Sequence, residues 1–222
     1  TMISIRPVAV GFWGFLMACL VVGGEAWSWG GNYTTIYGTP TNLGALAFNI
    51  LMSVAGGIIG AWVMTRDPFW MMSGALAGII SCASGLDIYY PALAFIIAFG
   101  AGILLKPAAG VLERMGIDDA VGAVTVHGTI GIYGMLLLGV FASGYPSGLG
   151  EGVATVSLVG QIVGSVVFVA IGLITGYVAS LILKMAGMLR VPEAAEIAGL
   201  DTVKVPAQAY PEGIPASAPA SQ

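Results

Sequence analysis

Charge is what this sequence has least of. Its 222 residues include seven Lys and Arg, eleven Asp and Glu and a single His, so 8% are charged against 58% hydrophobic. With a mean hydropathy of +0.96, that balance lies outside the range of soluble domains, in which about a quarter of residues are charged. The basic residues are too few and too scattered to form a nucleic-acid patch. Cysteine is equally scarce: Cys19 and Cys82 stand singly inside apolar runs, without the spacing of a zinc, redox or disulfide framework, and read as small packing residues. There is no P-loop, no metal-ligand cluster and no nucleophile paired with a base, which argues against an enzyme and against a bound cofactor or metal. Runs of alternating polarity about ten residues long are also missing, so a β-barrel is not expected.

Long apolar runs fill the space these absences leave. A membrane-spanning helix needs about 20 mainly apolar residues, and such stretches occur at Val8 to Gly24, Leu43 to Met64, Phe69 to Leu86, Pro91 to Leu112, Ala120 to Ser143 and Val153 to Leu183. The 34 glycines are interleaved with Leu, Ile, Val and Phe, as expected where small residues let helices approach closely in lipid. The fold class read from this pattern is an all-α integral membrane protein with six transmembrane helices. Lys and Arg collect on the cytoplasmic side of membranes. Arg6, Arg66, Lys106, Arg114, Lys184, Arg190 and Lys204 all fall on one side of a six-helix arrangement. Both termini are therefore expected in the cytoplasm. Residues 1–188 form the membrane domain and 189–222 a cytoplasmic tail, disordered beyond about residue 205, where Pro206, Pro211, Pro215 and Pro219 alternate with Ala and Ser.

Of the nineteen Lys, Arg, Asp, Glu and His residues only His127 lies well inside an apolar run. Counting about 1.5 Å per residue from Asp119 puts it roughly 12 Å into the membrane, near the middle of a hydrocarbon core about 30 Å thick. An ionisable group at that depth is a functional candidate. Ala123, His127, Gly131 and Gly134 share one helical face by 3.6-residue periodicity. That face has two readings: a close helix contact, or the wall of a narrow path in which the imidazole is the main polar feature. A neutral imidazole offers one donor and one acceptor to a small N–H solute, and it can relay a proton. The second run carries a stripe of Asn42, Asn49, Ser53, Gly56 and Gly60, and the third carries Gly74, Gly78, Ser81 and Gly85, both suited to interhelical packing. Asp118 and Asp119 precede the fifth run, where a carboxylate can cap free N–H groups at the positive end of the helix dipole.

The segment from Asp118-Asp119 through Val126-His127-Gly128 to Gly131 and Gly134 resembles the tenth helix of Amt/Rh/MEP ammonium transporters. Two further segments agree in order: Ser73 to Ile79 resembles that family's eighth helix, and Leu189-Arg190-Val191-Pro192-Glu193 through Gly199-Leu200-Asp201 resembles its cytoplasmic tail. The resemblance implies an eleven-helix fold, of which this chain supplies helices 6 to 11. It also implies ammonium or ammonia as the transported species, His127 as one of two facing pore histidines, and a plasma-membrane homotrimer. A further implied partner is a PII-type signal protein, with Asp118, Asp119, Gly199 and Asp201 in structural or coupling roles. The other histidine would belong to an N-terminal five-helix half, so the chain is expected to be a fragment or one piece of a split protein. One departure concerns the sixth helix, where family members carry a gating Phe. Here the region reads Val21 to Gly30, with Trp27 or Trp29 as candidate outer recruitment or gate residues, the warrant being cation–π attraction for ammonium. A sensor that binds ammonium without conducting it is the alternative reading.

Overall fold

The computed structural model describes residues 35–38, 41, 43–117, 119, 121–146, 152 and 154–198. Within them lie α1 (Leu43–Thr65), α2 (Pro68–Cys82), α3 (Pro91–Arg114), a π-helical turn (Val124–Thr129) leading directly into α4 (Ile130–Phe141), α5 (Leu158–Met185) and the short α6 (Glu193–Ala198). Among the described residues four segments are long and apolar enough to cross a membrane: Gly44–Thr65, Pro91–Arg114, Val124–Phe141 and Leu158–Met185; Pro68–Cys82 is apolar but shorter. These helices fall on the second to sixth apolar runs. The first run, with Trp27 and Trp29, lies outside the described residues, as do Asp118, Gly199 and Asp201. Among the described residues the only β pairing is an antiparallel bridge between Pro146 and Thr155 in the α4–α5 connection.

The helix ends follow from local chemistry. Arg66 closes α1 in the left-handed region at φ 57, an uncommon conformation for a residue with a side chain, and its guanidinium lies 3.6 Å over the Trp62 ring. Asp67 then caps α2 by accepting the Phe69 N–H at 2.9 Å, and Pro68 occupies the first turn, where its missing N–H costs nothing. These features allow α1 to reverse into α2 within a few residues.

Of the described residues, those from 35 to 174 belong to one compact unit and those from 175 to 198 to another. In the larger unit α1, α2 and α3 pack backbone against backbone. A Cβ on Gly56 would meet the Phe95 carbonyl, one on Gly60 the Phe99 carbonyl, and one on Gly78 the Ser53 carbonyl. Gly56 and Gly60 of the α1 stripe therefore serve close helix contact, where glycine exposes enough backbone surface for dispersion to hold helices together without a hydrophobic drive. Two apolar clusters complete the packing, one around Tyr89, Leu93, Ile97 and Leu138 and the other around Trp70, Leu105, Val126 and Ile130. By contrast, α5 is exposed along nearly its whole length, with only Ser165 buried.

Candidate functional site

The run containing His127 begins its helix later than its composition suggests. Gly122 takes φ +70, a conformation suited to glycine, so the helical residues start at Ala123 rather than Ala120. Asp119 reaches forward across this turn. Its two carboxylate oxygens accept the Val124 N–H at 3.1 Å, the Thr125 N–H at 2.9 Å and the Thr125 hydroxyl at 3.0 Å, satisfying N–H groups that have no partner inside the helix. Burial alone would push the Asp119 carboxyl up, but these bonds from Thr125 and Val124 hold it below the usual carboxylate range. His127 consequently lies about 6 Å along the helix from Ala123, one turn in rather than two.

The first turn is also wider than an α-helix. The Ile130 N–H bonds back to the Thr125 carbonyl, the five-residue step of a π-helix, which occurs often at functional sites. The wider turn changes which residues share a face. Thr125 and Val126 are buried, and His127 is exposed. Four residues from His127, Gly131 has nothing within 4 Å of the position a Cβ would occupy. Three residues further, Gly134 is buried with its Cα side pressed on the Ser81 backbone of α2. The face expected from the sequence thus divides: Gly134 makes the helix contact, and His127 and Gly131 border open space. Ala123 is exposed at the start of the π turn and is not part of the wall.

That space is a cleft of about 480 Å³. One wall is His127, Gly128, Gly131, Ile132 and Met135; the second is Ile80, Ala83 and Ser84 at the end of α2; the third is Ser165, Phe168 and Val169 of α5. Its lining is apolar apart from the imidazole and the two serines. Tyr133 anchors α4 from behind, donating its hydroxyl to the Ile97 carbonyl of α3 at 3.0 Å. Ser165 donates to the Gln161 carbonyl one turn earlier at 2.8 Å and lies 3.7 Å from the Met135 sulfur. Among the described residues no cluster of three or more His, Cys, Asp or Glu is placed to hold a metal.

The lining residues of α2 and α5 are ones that sequence reasoning did not select. Ser165 had a usable signal, a lone hydroxyl inside a long apolar helix, but Ala83, Phe168 and Val169 had none. The turn after α2 carries Asp87, whose carboxyl burial pushes above the usual carboxylate range.

The Ammonium Transporter Family profile matches residues 10–210 of the chain. Ammonium transporter Amt2 of Methanocaldococcus jannaschii is 36% identical over 171 residues, which is 76% of this chain and 40% of that protein. Ammonium transporter Amt1 of the same organism is 36% identical over 173 residues, covering 77% of this chain and 43% of its own length. A solved structure described as a Sensor Amt Protein superposes with a TM-score of 0.63 at 27% identity, over 73% of this chain and 42% of that one. The chain therefore spans well under half the length of these relatives.

Proposed function

The chain belongs to the Ammonium Transporter Family, and on that premise we propose that it forms the C-terminal half of an ammonium-conducting pore. The observation that carries this reading is the pairing of His127 with Gly131: an exposed imidazole beside a side-chain-free position, on the wall of a cleft whose lining is otherwise apolar but for two serines. Such a wall admits a small N–H solute, gives it one acceptor or one donor, and offers no fixed charge to hold an ion. Ammonium crosses as ammonia with a proton passed separately, or as the ion; the imidazole serves either by accepting an N–H bond in its neutral form. Its sequence relatives are transport proteins by name rather than enzymes.

In this reading, residues 1–188 supply six transmembrane helices, equivalent to helices 6 to 11 of the family. Residues 189–222 form the cytoplasmic tail. A five-helix N-terminal half closes the cleft and brings the facing histidine. The assembled protein sits in the plasma membrane as a homotrimer with both termini of this chain in the cytoplasm, and its tail is the surface on which a PII-type protein would act. Asp118, Asp119, Gly199 and Asp201 are the structural or coupling residues, and Trp27 or Trp29 stands at the outer entrance.

The test is uptake of ammonium or methylammonium in transport-deficient cells expressing this chain alone, with the five-helix half, or with that half and His127→Ala. Uptake is expected only when both halves are present, and His127→Ala is expected to abolish it or change its selectivity with membrane insertion intact. A His127→Ala protein that no longer reaches the membrane would instead mean that His127 is structural. A second reading, a sensor that binds ammonium without passing it, is favoured by the likeness to the Sensor Amt Protein. It predicts ammonium binding by inserted protein with no uptake in any combination.

A further inference from the structure

We propose that Asn49 is a positioning residue for the rim of the His127 cleft, acting from α1 through the turn that follows α2. The proposal rests on the reading of the cleft as a pore wall. Ala83 and Ser84 line the cleft but belong to no regular helix; they open the turn that joins α2 to α3. Within the turn the bonds are local, such as Gly85 N–H to the Cys82 carbonyl at 2.8 Å and Tyr89 N–H to the Gly85 carbonyl at 2.8 Å. Local bonds keep the turn's shape but do not fix where it lies against α4.

Its placement comes from α1 and from the segment that leads into it. Asn49 donates through Nδ2 to the carbonyls of Leu86 at 2.8 Å and Tyr89 at 2.7 Å. Thr41 donates its hydroxyl to the Asp87 carbonyl at 2.6 Å, and the Ile36 N–H reaches the Ile88 carbonyl at 3.0 Å. Every carbonyl from Leu86 to Tyr89 is thus held from outside the turn, and Asn49 alone holds two of them. Two carbonyl acceptors can be met by one side chain only if it presents two N–H donors, which a buried amide does. Asn49 is 2% exposed, and its Oδ1 has no partner, so its two donated bonds are what the amide contributes. The clamp is transmitted to the rim by packing: the fully buried Tyr89 ring lies directly on Gly85, the residue after Ser84, with no room for a Cβ. Moving the Leu86 and Tyr89 carbonyls therefore moves Ser84.

The test uses the complete two-half protein with Asn49→Asp, Thr41→Val and the control Ser53→Ala, equally buried and donating into its own helix at 2.8 Å. Asn49→Asp keeps the shape and removes at least one donor. Two quantities are measured: KM for ammonium and for methylammonium, and the mobility of a nitroxide on Ser84→Cys in a background with Cys19 and Cys82 replaced by Ser. Both clamp variants are expected to mobilise the nitroxide. They should also raise KM about fivefold, the scale of one lost net hydrogen bond, and narrow the discrimination between the two substrates, with Ser53→Ala changing neither. A nitroxide as immobile in the clamp variants as in the parent overturns the proposal, and so does a mobile rim with unchanged KM and discrimination. Should Asn49→Asp fail to insert, Asn49→Ser, which is uncharged and can meet at most one of the two carbonyls, decides the same question. If the parent takes up neither ion, the transport reading fails, while the nitroxide spectra still decide whether the clamp sets the rim.

Discussion

Gly131 and Gly134 stand on one helix, less than a turn apart, and face opposite conditions. A Cβ on Gly134 would lie 2.8 Å from the Ser81 Cα, with the Ser81 carbonyl closer still; a Cβ on Gly131 would meet nothing within 4 Å. The same residue type in the same apolar run is therefore present for two reasons. At Gly134 glycine lets two backbones touch, and any side chain must push α2 and α4 apart. At Gly131 glycine leaves space that no described residue fills. The difference teaches that glycine frequency in a membrane helix reports close packing or an open path with equal ease, and only the neighbouring helix distinguishes them.

The largest expected effect comes from exchanging these environments. Gly134→Leu forces a branched side chain into a backbone contact and should cost about 3 kcal/mol or more, with loss of folded, inserted protein. Gly131→Leu places the same side chain in the cleft. It should leave the thermal unfolding of purified protein nearly unchanged while reducing ammonium uptake. Equal thermal destabilisation by the two variants would erase the distinction, and unaltered uptake in Gly131→Leu would mean that this face borders no path.

The division between the two glycines was only half legible in the sequence. The second to sixth apolar runs placed α1 to α5, because length and continuous apolarity are strong signals for a membrane helix. The family resemblance correctly identified the membership. The shared face of Ala123, His127, Gly131 and Gly134 was read on an ideal 3.6-residue helix, and the structure departs from that geometry at the π turn over Val124–Thr129. No sequence pattern announces such a turn. The helix start was missed for a related reason: Asp119 caps from across Gly122 instead of from the adjoining position. The wall contributed by Ala83, Ser84, Phe168 and Val169 depends on tertiary placement alone.

The next effect in size concerns how the wall is held at its start. Asp119→Ala should cost about 1 kcal/mol, as for loss of a helix cap. The pH dependence follows from the depressed carboxyl. The stabilisation from Asp119 is fully present above its unfolded value near 4, and it is lost as pH falls through the lower folded value. Thermal unfolding of wild type and Asp119→Ala should therefore differ at neutral pH and converge in acid. A constant gap down to strongly acidic pH would show that the carboxylate charge is not what holds the turn. Tyr133→Phe removes a single bond, to the Ile97 carbonyl, and leaves that acceptor within its own α3 ladder. It should cost about 1 kcal/mol or slightly less.

The smallest effect is expected on the α5 wall, and it decides what kind of wall that helix is. Ser165 is buried at 6% exposure and contributes to the cleft lining. Its hydroxyl already donates to the Gln161 carbonyl of its own helix at 2.8 Å, a back-bond with little net value because that carbonyl also serves the helix. Ser165→Ala should therefore change stability by less than about 0.5 kcal/mol. It should also leave uptake unaltered, since the donor is engaged and the methyl group keeps the wall's shape. A severalfold fall in uptake with unchanged unfolding would mean that the hydroxyl turns from Gln161 to the permeating species. In that case α5 is a polar partner to His127 across the cleft; otherwise it closes the side that Gly131 leaves open and contributes shape alone.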